Sequence, residues 1–138
     1  MVDLAMSEIQ VMLRDLAMEF VAAEIRPHAA EWDEKSDYPV DTIRAANELG
    51  LLNLHIPEDY GGAGLGCMEE VVVNEALGWG DPGFATAAYA TSLACAPLIT
   101  GGTDEQKELF LRRVSEQGSL ASYAITEPGA GSDVQGIK

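Results

Sequence analysis

From Gly83 to Ala96 the chain carries no charged residue at all, and Ala85, Ala87, Ala88, Ala90, Ala94 and Ala96 fall within that stretch. A helix without charge on any side is expected to be buried over most of its surface. Its small side chains let neighbouring helices, or a ligand, approach closely. Asp81-Pro82 supplies a start signal, an N-cap followed by proline in the first turn. Pro97 and Gly101-Gly102 are expected to break the helix. The remaining segments should therefore pack around this central element.

Those segments read as helices with clear punctuation. Ser7-Glu8-Ile9-Gln10 has the pattern of a capping box. Ile9, Met12, Leu13, Leu16 and Phe20 follow at spacings of three and four, which predicts one buried face. Pro27 ends that pattern. After a polar stretch, Tyr38-Pro39 leads into a helix of about ten residues with Ile43, Ala46 and Leu49 on its apolar side, stopped at Gly50. Met68, Val71, Val72, Ala76 and Leu77 run to Gly78, with Glu69 and Glu70 complementing the start of their helix. Thr103-Asp104-Glu105-Gln106 is a second capping box, and Leu109, Phe110 and Val114 carry the last helix to Gly118.

Charge and composition narrow the function. Eight Lys and Arg face 23 Asp and Glu, a formal net charge of −15. Nucleic-acid affinity rests on clustered cations, so that class is disfavoured. With 47% hydrophobic and 22% charged residues the chain has the balance of a folded domain. No apolar run is expected to approach the roughly 18 residues that span a bilayer, and the first residues resemble neither a signal nor a transit peptide. A cytoplasmic or mature organelle-matrix protein is expected. Cys67 and Cys95 lack the spacing of a zinc site or disulfide framework, and His28 and His55 are isolated, so no metal is expected.

Two glycine-rich segments invite ligands. Gly61, Gly62, Gly64 and Gly66 do not match the n, n+2, n+5 spacing of a dinucleotide fingerprint and have no βαβ context, so they read as a tight turn. Leu120 to Thr126 lacks helical periodicity, and Tyr123, Ile125 and Thr126 suit a pleated backbone. This predicts a strand, followed by the turn Glu127-Pro128-Gly129-Ala130-Gly131-Ser132-Asp133. A single strand has no partners within these residues, so the natural protein is expected to continue. A turn of this kind presents backbone N–H groups and hydroxyls to a phosphate or a heteroaromatic edge, although an ordinary β-turn fits the residues as well.

The string Tyr123-Ala124-Ile125-Thr126-Glu127-Pro128-Gly129-Ala130-Gly131-Ser132-Asp133, with Gly136-Ile137-Lys138, strongly resembles the signature of the acyl-CoA dehydrogenase family. Pro57-Glu58-Asp59-Tyr60-Gly61-Gly62, Tyr38-Pro39, Gly50-Leu51 and Gly102 to Lys107 fall in the family's order. The resemblance implies a mainly α fold, an orthogonal helical bundle over residues 1–118, followed by the first strand and signature turn of a β-domain over 119–138. It implies FAD as cofactor, with Tyr123, Ala124, Ile125 and Thr126 along the flavin ring and Gly131 and Ser132 after the turn. Ser132 would reach the FAD pyrophosphate or the CoA arm. The implied reaction is α,β-dehydrogenation of an acyl-CoA, in which a Glu outside this chain takes the α-proton and flavin N5 receives hydride. No catalytic residue is expected here, and the chain alone is expected to be inactive. Electron-transferring flavoprotein as partner and a homotetramer are also implied.

By the same resemblance the helix from Gly83 to Ala96 lines the acyl pocket, and Tyr89 would close its deep end and favour short or branched acyl groups. A core tyrosine with a paired hydroxyl is the equally weighted reading. An acyl-CoA oxidase or flavin monooxygenase relative, or a non-catalytic helical module, remains open, because architecture does not fix reaction.

Overall fold

The computed structural model describes residues 5–138. The reading of the extreme N-terminus as neither signal nor transit peptide therefore falls partly on residues 1–4, outside the described part. Among the described residues six α-helices form the body: α1 Glu8–Phe20, α2 Ala29–Lys35, α3 Val40–Glu48, α4 Cys67–Gly80, α5 Pro82–Gly101 and α6 Asp104–Gln117. A π-helical turn, Val21–Ile25, extends α1.

The expected caps form. The Ser7 and Thr103 hydroxyls accept from the backbone N–H of Gln10 and Gln106, whose side chains accept in return from the Ser7 and Thr103 N–H groups. Asp81 Oδ1 accepts from Phe84 N at 2.5 Å, fixing the start of α5. Gly50, with φ +71°, turns the chain after α3 in the left-handed region that glycine occupies freely. At Gly62 a Cβ would lie 2.0 Å from the Ile56 carbonyl oxygen, so close backbone packing accounts for this part of the glycine-rich loop.

Two apolar clusters hold the helices. The larger joins Leu13, Ala17, Phe20 and Ile25 to Ile43, Val73, Leu77, Phe84 and Ala88, with Trp32 stacked on Phe84 at 5.8 Å. The smaller gathers Ile56, Cys95, Leu111 and Val114 between α5 and α6. Side-chain bonds secure the loop before α4: Arg112 donates to the Asp59 carbonyl and Ser115 to that of Tyr60.

Several expectations need correction. The buried face of α1 is Leu13, Ala17 and Phe20, while Ile9 and Met12 are exposed. The small Ala17 belongs in that face because it lets a neighbouring helix close in. The polar stretch after Pro27 contains α2, whose left-handed C-cap Ser36 and lack of a fully buried residue leave little local signal. In α4 the seam is Val72, Val73, Ala76 and Leu77, with Met68 and Val71 outside. In α6 it is Leu111 and Val114, with Leu109 and Phe110 half-exposed.

Helix α5 departs from expectation in three ways. It passes through Pro97 to Gly101, because one missing N–H inside a twenty-residue helix is outweighed by its intact turns. At that length it is apolar enough to cross a membrane by length and composition, contrary to the count of apolar runs, yet one face is packed into both clusters. Burial covers Phe84, Ala88, Thr91, Ser92 and Cys95 and spares Tyr89 and Leu93, so an uncharged composition does not place the whole surface in the core.

The expected strand does not form. Among the described residues there is no strand, only an isolated bridge between Glu127 and Ala130. A strand exists through its ladder partners, and none flanks this segment.

Candidate functional site

The segment after α6 is attached to the helical body by few bonds. Gly118, left-handed, ends α6, and Ser119 N donates to the Arg113 carbonyl. Thr91, buried in α5, receives Ala121 N at 3.2 Å and donates its hydroxyl to the Ala121 carbonyl at 3.3 Å. A buried hydroxyl in a helix without charge is the signal that could have singled out Thr91, and sequence reasoning missed it.

Beyond this anchor, residues 122–126 make no backbone hydrogen bond with the described residues. Tyr123 is 44% exposed and Ile125 39%, and Ala124 and Thr126 are exposed too. A run of N–H and C=O groups without protein partners is a surface for a further strand or for a polar ring edge. The backbone donors and acceptors of this segment are therefore open, and so is the Thr126 hydroxyl. The next four residues close on themselves: Glu127 N donates to Ala130 O and Ala130 N to Glu127 O, at 3.0 and 3.1 Å. The Glu127 carboxylate accepts from Lys138 N and so serves the local turn. Gly131 and Ser132 stand exposed after it, without hydrogen bonds in the chain.

Tyr89 lies elsewhere. At 100° per residue it is about 200° around α5 from Thr91, so it and the anchor of the 122–126 segment flank opposite sides of the helix. It borders a groove of about 350 Å³ between α4 and α5, together with Cys67, Glu70, Val71, Asn74, Ala85 and Thr86. The residue is 38% exposed, so it is not a core tyrosine within this chain. Burial, then the nearby Glu70 and Cys67, hold its phenol above the ordinary value, which keeps the hydroxyl a proton donor.

One wall of this groove was not foreseen. His55 Nδ1 and Glu70 Oε1 are 2.5 Å apart, with only 19% and 12% of their side chains exposed. His55 Nε2 is sealed from solvent and has no hydrogen-bond partner. No local pattern announces the pair, since the residues are fifteen positions apart and meet only through the loop between them.

Comparison with known proteins now bears on this arrangement. The acyl-CoA dehydrogenase N-terminal domain family matches residues 7–117. A probable medium-chain specific acyl-CoA dehydrogenase of Caenorhabditis briggsae is 41% identical over 96% of this chain and 33% of its own length. The structure of butyryl-CoA dehydrogenase from Megasphaera elsdenii superposes with a TM-score of 0.87 at 32% identity, covering 98% of this chain and 36% of that one. An acyl-CoA dehydrogenase complexed with FAD from Bacillus anthracis gives a TM-score of 0.86 at 33% identity, covering 96% of this chain and 23% of that one. The chain thus spans about a third of the length of the curated relatives it matches. With its capped helices, its apolar α5 and the family match over α1 to α6, it belongs to the acyl-CoA dehydrogenase family.

Proposed function

We propose that this chain forms the helical part of an FAD-dependent enzyme that dehydrogenates an acyl-CoA thioester, and that residues 119–138 begin a second, β-structured unit. The observation that carries the reading is the unpaired backbone of residues 122–126 directly after Ala121, which is anchored on Thr91 of α5, in a chain whose family includes an enzyme solved with FAD. Tyr123, Ala124, Ile125 and Thr126 would offer backbone groups and one hydroxyl to the flavin ring. Gly131 and Ser132 would meet a phosphate of the cofactor or of the CoA arm. Bound FAD supplies the two-electron acceptor, and the protein orients it. Such a dehydrogenation would need a carboxylate from outside this chain to take the α-proton and the bound flavin to take the β-hydrogen with its electron pair, leaving the thioester with an α,β double bond.

The groove beside Tyr89 would take the far end of the acyl chain. A bulky ring among Ala85, Thr86 and small neighbours limits that space, which favours short or branched acyl groups. Phosphate-pairing cations are scarce at −15 and would come from another segment or subunit. A homo-oligomer fits that need, and electron-transferring flavoprotein is the proposed acceptor of the electrons.

Anaerobic addition of acyl-CoAs to the flavin-loaded full chain tests the reading. Bleaching of the flavin, followed by reoxidation by electron-transferring flavoprotein and not by oxygen, is the expected result. Reoxidation by oxygen alone points to an oxidase, and failure of the complete enzyme, of which this chain is the proposed helical part, to bind flavin overturns the proposal.

A further inference from the structure

The groove between α4 and α5 has a polar wall that a plain hydrocarbon tail does not use. Glu70 lines it with a carboxylate that is almost withdrawn from solvent, and its Oε1 is engaged by His55. No hydrogen bond reaches Oε2 from the described residues. His55 meets the carboxylate through Nδ1 alone, and its Nε2 is enclosed without a partner. The Asn74 amide donates to the Glu70 backbone carbonyl, and no bond from it reaches the carboxylate. The Thr86 hydroxyl is likewise spent on the Pro82 carbonyl. Whatever fills the groove therefore meets a carboxylate oxygen lacking a donor, beside a phenol that stays protonated.

An alkyl tail laid over that oxygen removes its remaining water and returns nothing, a cost that grows as the site dries. A tail ending in a donor replaces the water bond with a charge-assisted one. We infer that the groove selects an acyl thioester whose tail carries a hydrogen-bond donor, a hydroxyl or ammonium group, with Glu70 as the acceptor and His55 as the residue that positions it. The inference rests on the proposed placement of the acyl chain in this groove and adds the chemistry of its far end.

The test uses the flavin-loaded full chain and matched acyl-CoAs. Hexanoyl-CoA and ω-hydroxypentanoyl-CoA have the same number of heavy atoms, and ω-aminopentanoyl-CoA gives the charged arm. Binding is followed by perturbation of the flavin spectrum and turnover by anaerobic bleaching. A donor-bearing thioester is expected to exceed hexanoyl-CoA by about tenfold or more in both affinity and kcat/KM, since a site built to hydrogen-bond its ligand rejects the analogue lacking the group. Which donor-bearing thioester wins identifies the donor, and either supports the inference. Glu70→Leu should reverse the order in favour of hexanoyl-CoA. Should that variant not fold, Glu70→Gln keeps the shape and should lower the preference by about threefold to tenfold, because a neutral acceptor is weaker than a charged one. Equal handling of the thioesters by the native enzyme, or a preference unmoved in the folded variant, overturns the inference while leaving acyl-CoA dehydrogenation intact. Failure of every thioester to bleach the flavin removes the functional reading and this inference together.

Discussion

Helices α1 to α6 and the segment 119–138 obey different rules of stability. Within the helices most backbone donors find their acceptor a turn away, side chains close several of the ends, and two apolar clusters hold the set together. The later segment has one buried anchor at Thr91, one closed turn at Glu127–Ala130, and exposed Tyr123 and Ile125 between them. Local satisfaction makes a helix independent of its surroundings, whereas backbone groups left open commit a segment to a partner. The first region is built to stand, and the second is built to receive.

The largest test of that contrast compares truncations in the two regions. Leu77 is fully buried in the main cluster, and Leu77→Ala should cost about 2–5 kcal/mol of unfolding free energy. Tyr123→Ala should change it by less than about 0.5 kcal/mol, as surface substitutions do. Urea denaturation of the 138-residue chain measures both. Comparable losses would mean that the segment after α6 is part of the cooperative core.

Next in size is a pH effect confined to the helical region. Burial, with a contribution from Glu70, pushes the Cys95 thiol up from 9.0 to about 11. Above pH 9 the unfolded chain releases this proton and the folded chain keeps it, so stability falls as pH rises between about 9 and 11. The full loss is on the order of 2–3 kcal/mol, and it is absent below pH 9. Subtracting the profile of Cys95→Ala removes the tyrosines, which titrate in the same region. A difference that stays flat from pH 8 to 11 would show that Cys95 ionises alike in both states.

What could be read from the sequence follows the same division. Ser7, Asp81 and Thr103 announce their helices because capping is settled within three residues. The choice of face is less local: Ala17 is buried and Met12 is not, since the closeness of a neighbouring helix decides it. The uncharged composition of α5 marked the central helix and overstated its burial, as Tyr89 and Leu93 show. Strand propensity in 120–126 was legible, but a ladder requires residues that this chain does not bring to it. The signature string identified the family through its particular residues, and no periodicity would have done so. The His55–Glu70 pair was invisible because tertiary folding alone joins it.

A smaller effect sharpens the comparison at the ends of elements. Asp81→Ala removes the acceptor for Phe84 N and should destabilise the chain by about 1 kcal/mol. Ser132→Ala, exposed and without hydrogen bonds, should leave the same denaturation curve unchanged. A measurable loss at Ser132 would indicate a structural bond there in the folded chain.

An effect of similar size or smaller falls where the second region is proposed to work. Thr126→Val keeps the side-chain volume and deletes one exposed hydroxyl that bonds to nothing in the chain. Folding should therefore be indifferent to it. On the proposed reading, the flavin-loaded full chain loses one neutral hydrogen bond at the ring's polar edge, about 0.5–1.5 kcal/mol. That corresponds to roughly a twofold to tenfold weaker flavin affinity, or to a shifted potential where the bond differs between oxidised and reduced ring. Equilibrium dialysis and a spectroelectrochemical titration read the two quantities, with thermal denaturation of the apoprotein as the control. A variant with native flavin affinity and potential places Thr126 away from the ring. One with a lowered melting temperature and native flavin properties would move Thr126 from the receiving region to the standing one.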